Sequence, residues 1–190
     1  MILSNVEILR AIKSGRLEIG DLTGKEDPSK PPFNTTSVDL HLGNSVGVPK
    51  AVLATIDFSN PGSIKEFLGA NSDWHDLTKE NGYKLLPQTF VLASTRERVH
   101  LPIIKGKPAL SARIEGRSSI ARCGILIHFT APTIHPRFRG PLTLEIINLG
   151  RTPLQLFSGF DICQLIIEQV HGKVVPTANQ FIDQVKPSGQ

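Results

Sequence analysis

Gly140-Pro-Leu-Thr-Leu-Glu-Ile-Ile-Asn148 is the stretch whose reading decides the fold. Side chains alternate across a strand, so Leu142, Leu144 and Ile146 share one face while Thr143, Glu145 and Ile147 share the other. A run this apolar, opened by Gly-Pro, reads as a strand with one face on a core. Outward from it the same kind of segment recurs, with strands expected at 83–86, 90–94, 109–114, 124–129, 142–148, 154–157 and 162–170. Pro and Gly turns separate them at spacings typical of a sandwich or barrel. The 16 Gly and 14 Pro of the chain favour short strands and turns over long helices. The expectation is a single, mainly β domain over 1–190 with an N-terminal helix.

That helix is signalled at the start. Ser4 caps it, Glu7 completes a capping box and Leu3 staples against Ile8. Val6, Leu9 and Ile12 form its stripe, and Gly15 stands at the C-terminal cap. The segment 21–36 is polar and contains Pro28, Pro31 and Pro32, so it reads as a loop. Ser37-Val-Asp-Leu-His-Leu-Gly43 alternates as a short half-buried strand. Residues 55–82 read as a surface excursion with a short helix over 63–68.

A chain of 190 residues buries a proper core, and 39% hydrophobic residues is far from a disordered composition. The net charge of +4 is scattered, with no run of five or more Lys and Arg. A small polyanion such as a nucleotide therefore fits better than nucleic acid. Nine Phe, one Trp and one Tyr form no basic and aromatic stripe for stacking single strands. Cys123 and Cys163 make neither a metal pattern nor a disulfide framework, which predicts reduced thiols. With no basic leader and no apolar run long enough to span a bilayer, a soluble cytoplasmic protein without membrane association is expected.

Most of the chemistry is packed into 116–148. Gly116-Arg-Ser-Ser-Ile-Ala-Arg122 holds two cations and two hydroxyls, either as an ordinary tight turn or as a nest of anion donors. Glu145 is either a solvent-facing strand carboxylate or a general base tuned by partial desolvation. His128 and His135 lack a third ligand at a recognisable spacing, and His128 reads as a hydrogen-bonded structural residue. There is no Walker A or dinucleotide fingerprint, and the His-x-Glu and Pro-Cys-x-x-Cys elements of the zinc deaminases are absent.

Taken in order, Gly116-Arg-Ser-Ser-Ile-Ala-Arg122, His128-Phe-Thr-Ala131, Leu142-Thr-Leu-Glu145 and Gly159-Phe-Asp-Ile-Cys-Gln-Leu165 resemble the dCTP deaminase family of the dUTPase superfamily. The likeness extends to Met1-Ile-Leu-Ser4, Ser37 to Gly43 and Leu86-Pro-Gln-Thr-Phe-Val-Leu-Ala-Ser-Thr95. It covers most of the chain except roughly 50–80 and the C-terminal tail. The resemblance implies a distorted, dUTPase-like β-barrel (a β-clip) and a homotrimer with active sites between subunits. It implies conversion of dCTP to dUTP and ammonia by a water that attacks cytosine C4 without zinc, Mg²⁺ serving the triphosphate. Glu145 matches the general base, Ser118 and the carbonyl of Ala131 the groups that orient the water, and Arg122 the arginine that steadies the glutamate. Arg117, Ser118 and Ser119 match phosphate contacts, and Gln164 a nucleotide contact.

The chain departs from the family in two places. Where the family usually reads Ile-Asp-Pro-Gly and an aromatic, this sequence reads Ile134-His-Pro-Arg-Phe138. His135 thus stands for an aspartate expected at the deoxyribose, Arg137 for a glycine, and Phe138 keeps the aromatic of this substrate-binding segment. The tail from Phe181 to Gln190 has no tyrosine, and only Lys186 and Gly189 echo the family's triphosphate lid. Three readings follow: a dCTP deaminase, a dUTP diphosphatase or bifunctional enzyme, and a nucleotide-binding paralogue with altered catalysis.

Overall fold

The computed structural model describes residues 1–20, 22, 25–53 and 55–175; the expectations for Phe181 to Gln190 fall outside them. Helix α1 (Asn5–Lys13) begins at Ser4, whose Oγ accepts from the Glu7 amide at 3.4 Å. Gly15 follows the helix at φ 67°. Leu3 and Ile8 are both buried, as a staple requires. The buried stripe is Ile8, Leu9 and Ala11, not one through Val6, which is exposed. At about 100° per residue, Val6 lies roughly 200° round the helix from Ile8. Glu7 pairs its carboxylate with Arg10 instead of returning to the cap.

The strands are β1 (Glu18–Ile19), β2 (Val38–Pro49), β3 (Ser72–Asp76), β4 (Tyr83–Leu85), β5 (Phe90–His100) and β6 (Leu110–Gly116). They continue as β7 (Ile125–Leu126), β8 (Thr133–Ile134), β9 (Arg139–Asn148), β10 (Leu154–Leu156) and β11 (Asp161–Gln169). Two further helices, α2 (Pro61–Ala70) and the single turn α3 (Ser118–Ala121), interrupt them. The main sheet runs β7-β9-β5-β2-β11-β6-β8, with β1 on β5 and β3 on β2, and every pairing is antiparallel. It curls into a half-barrel around one core, mainly β with an N-terminal helix as the sequence predicts.

The core face of β9 is the expected one. Leu142, Leu144 and Ile146 are buried, while Thr143, Glu145 and Ile147 are half-buried. Burying each such aliphatic side chain is worth about 1.5–3 kcal/mol, so the parity of this strand is firmly set. On β5, which pairs Leu92 with Glu145, the inward row is Val91, Ala93, Thr95, Glu97 and Val99. Glu97 therefore holds a core position, 1% exposed. The ladder slips there, between Ser94 and Arg98 against β9 and between Leu42 and Val46 against β2. Thr95 closes the irregular segment: its Oγ1 donates to the Glu97 carbonyl at 2.8 Å and accepts from the Leu142 amide at 2.9 Å.

Several elements differ from the expectation. β2 continues six residues past Gly43, and β3, absent from the sequence reading, pairs with that extension. Gly47 is the seat for Trp74, whose ring would lie 2.8 Å from a Cβ there. The segment 124–129 pairs only at Ile125 and Leu126. α3 is anchored beside it by Gly124 and Gly150: a Cβ on Gly124 would lie 2.5 Å from the Gly150 nitrogen.

Candidate active site

The Gly116–Arg122 segment is presented where β6 ends. Arg117 is extended, α3 makes one turn, and Arg122 caps it. Ser118, Ser119 and Arg122 are exposed. Ile120 and Ala121 donate back to the Arg117 carbonyl. Among the described residues the amides of Ser118 and Ser119 have no acceptor, as first-turn amides commonly lack one.

Arg117 does not extend freely into solvent. Its Nη1 lies 3.0 Å from Asp39 Oδ2 and 2.7 Å from Asp161 Oδ2. Asp39 also accepts from Asn34 Nδ2 at 2.9 Å. Burial pushes the Asp39 carboxyl above its usual range, against the pull of Arg117 and Asn34. Asp161 in turn lies 3.1 Å from His41 Nε2. His41 is clamped by Glu97, through Nδ1 at 2.6 Å and through its own amide at 2.9 Å. Asp39 and His41 lie in the Ser37–Gly43 motif without an expected role, and Glu97 lies outside every motif. The available signal was parity, which puts Asp39 and His41 on one face of β2.

Gln164 belongs to the same neighbourhood. On β11 it lies opposite Asp39 on one side and Glu115 on the other. Its Oε1 accepts from Ser37 Oγ at 2.8 Å and its Nε2 donates to the Gly116 carbonyl at 3.3 Å. Its amide thus ties the start of the Arg117 segment to the start of β2.

Glu145 stands apart. It is half-buried on β9, and its Oε2 accepts from the Phe129 amide at 3.1 Å. Phe129 meets Phe90 edge-on at 5.7 Å, which fixes that backbone over the strand. Ala131 is exposed in the following loop, where the Pro132 carbonyl accepts from Ile114. Among the described residues the buried Nδ1 of His128 has no partner, so the expected hydrogen-bonded structural role is not met at that atom.

Glu145 and Arg122 are not paired within one chain: among the described residues no carboxylate lies within 4.0 Å of a nitrogen of Arg122. The register explains this. Ile125 sits opposite Asn148, so Glu145 is three residues further along β9, roughly 10 Å away. Within one chain the two residues therefore stand apart along the β7–β9 edge.

The divergent turn lies on the surface. His135 and Arg137 are exposed. The Phe138 amide donates to the His135 carbonyl at 3.1 Å, and Arg137 takes φ 73°. A Pro followed by a positive φ is the pattern of a type II turn, whose second central position favours glycine. Phe138, expected at the substrate, is 8% exposed and packs in the core, because β9 begins immediately after it with that side inward.

A protein-family model described as dCTP deaminase-like matches residues 2–170. A curated dCTP deaminase of Thermomicrobium roseum is 37% identical over 173 residues, covering 90% of this chain and 80% of the relative. A dCTP deaminase described as dUMP-forming, from Methanothermobacter thermautotrophicus, is 36% identical over 168 residues, 88% of this chain and 78% of the relative. Among solved structures, the 2′-deoxycytidine 5′-triphosphate deaminase of Agrobacterium tumefaciens shares the fold at a TM-score of 0.63 and 21% identity. That match covers 90% of this chain and 48% of the longer one.

Proposed function

This chain belongs to the dCTP deaminase-like family, and from that premise we propose that it hydrolyses dCTP to dUTP and ammonia with Glu145 as general base. The observation that carries the assignment is the placement of Glu145. A half-buried carboxylate on an apolar strand, oriented by one backbone amide, is placed as a general base needs to be.

In the proposed reaction Glu145 accepts a proton from water as its oxygen bonds to cytosine C4. N3 takes up that proton as the N3–C4 double bond opens; Glu145 then carries the remaining hydroxyl proton to the exocyclic amine, the C4–N bond breaks, and ammonia leaves as the C4 carbonyl forms. Ser118 and the Ala131 carbonyl orient the water, and Arg122 steadies the glutamate. Arg117 and Ser119 hold phosphate oxygens, Gln164 contacts the nucleotide, and His135 and Arg137 line the sugar side. Mg²⁺ enters with the substrate as its triphosphate complex. The carboxylates beside Arg117 suit that arrangement, since Asp39 and Asp161 are already engaged by its guanidinium.

We place the complete site between subunits of a homotrimer. The separation of the Arg122 and Glu145 half-sites supports this, as do the exposed Leu126, Phe129 and Leu149 beside them. The two free cysteines support a reducing, cytoplasmic setting, and no described helix is long and apolar enough to cross a membrane.

A second reading adds hydrolysis of the triphosphate to give dUMP and pyrophosphate. Relatives described as dUMP-forming favour it. Product analysis after incubation with dCTP and Mg²⁺ decides between them: dUTP with ammonia supports deamination alone, and dUMP with pyrophosphate supports both steps. Nucleotide binding without ammonia release would favour a paralogue that has lost catalysis.

A further inference from the structure

The fold spends an unusual amount of charge behind Arg117. Burying a carboxylate is costly unless it is fully partnered, and Glu97 is placed in the core row of β5. Both of its oxygens are taken by His41. The imidazole of His41 is then fixed, and its Nε2 meets Asp161 Oδ1. The other oxygen of Asp161 meets Arg117 Nη1. The line Glu97, His41, Asp161, Arg117 thus runs from the core to the surface through one carboxylate per step.

The end of the line is asymmetric. Asp161 and Asp39 both approach the same nitrogen, Nη1 of Arg117. Among the described residues Nη2 and Nε have no partner. A guanidinium held by one nitrogen from two sides keeps its remaining edge aimed in one direction, and that edge suits two oxygens of a phosphate.

We propose that Asp161 and His41 are positioning residues for Arg117, anchored by Glu97, and that they set the triphosphate affinity of the site without touching the nucleotide. This rests on the reading of Arg117 as a phosphate contact. Asp161 is half-exposed and can be replaced without opening the core, whereas Glu97 cannot.

The test is calorimetric binding of sodium tripolyphosphate and of dCTP with Mg²⁺ to the full chain, with Asp161→Ala, His41→Ala and Arg117→Gln alongside. Asp161→Ala and His41→Ala are expected to weaken both ligands by about tenfold, roughly the worth of one oriented charge-assisted bond. KM for dCTP should rise to match, while kcat at saturation stays within about threefold, and Asp161→Asn should recover part of the loss. Unchanged or tighter binding by Asp161→Ala, with Arg117→Gln weakened, would overturn the positioning role alone, since Asp161 would then only compete with phosphate for the cation. Unchanged binding by Arg117→Gln, or no binding of either ligand by the unaltered protein, would overturn the phosphate reading and the positioning role together. If Asp161→Ala loses its fold by circular dichroism, Asp161→Asn decides: weaker tripolyphosphate binding supports the proposal, and binding equal to the unaltered chain overturns it.

Discussion

Glu145 Oε2 accepts a hydrogen bond from the Phe129 amide at 3.1 Å, and this one contact ties the proposed base to the loop that continues into Ala131. The carboxylate is thereby oriented, and among the described residues no cation of its own chain pairs with it. Its partner cation, on this account, comes from a neighbouring subunit. The protein should therefore sediment as a trimer. Mixing Arg122→Ala with Glu145→Gln subunits should restore a fraction of the activity that each variant lacks alone, as assayed after subunit exchange.

Arg117 and Asp39 make a second prediction. Burial raises the Asp39 value above 3.8, and Arg117 is the largest influence opposing that rise. In Arg117→Gln the Asp39 carboxyl should titrate still higher, by carboxyl-detected NMR. A raised value in the folded state means a proton is taken up on folding. The contribution of Asp39 to stability is thus present below 3.8 and lost as pH rises through the folded value. Relative to the unaltered protein, Asp39→Asn should gain thermal stability as pH increases across that window; losing ground instead would contradict the assignment.

The strained turn separates folding from recognition. Arg137 pays a left-handed backbone cost of about 1–2 kcal/mol at φ 73°. Arg137→Gly removes that strain but adds backbone entropy to the unfolded chain, about 0.5–1 kcal/mol. Its melting temperature should be unchanged or slightly raised. A large loss of stability would contradict the assignment of strain to this turn.

The anchoring of α3 depends on glycine. A Cβ on Gly150 would lie 2.5 Å from the Cys123 carbonyl, which is backbone and cannot swing aside. Gly150→Ala should cost about 1–3 kcal/mol in denaturant unfolding. It should also depress activity beyond that loss, because Arg122 rides on the displaced turn.

The cysteines should differ in reactivity. Cys123 is exposed, while burial, with Glu97 and Asp39 adding to it, pushes the Cys163 thiol far above its usual range. A thiol reagent should label one cysteine per chain in the native protein and two after unfolding.

Much of this architecture could be read from the residues. The cap at Ser4 and the parity of β9 follow from local rules that tertiary packing did not override. The half-burial of Glu145 was left open because alternation gives the face of a strand but not what covers it. β3 was missed because Ser72-Asp-Trp-His-Asp76 is mostly polar and carries no period-two pattern, its place being fixed by Trp74 over Gly47. The Glu97 line was missed because Arg96-Glu97-Arg98 looks like a solvated charge run. Strict alternation along β5, from Val91 through Thr95 to Val99, puts its middle member on the core row.

The most direct measurement is ammonia release from dCTP with Mg²⁺, comparing the unaltered protein with Glu145→Gln. Glutamine keeps an acceptor for the Phe129 amide but cannot take a proton, so the variant should fold and bind nucleotide. The account predicts steady ammonia release from the unaltered protein and a fall of about 10²–10⁴-fold in the variant. No release from the unaltered protein, or equal rates in the two, would contradict it.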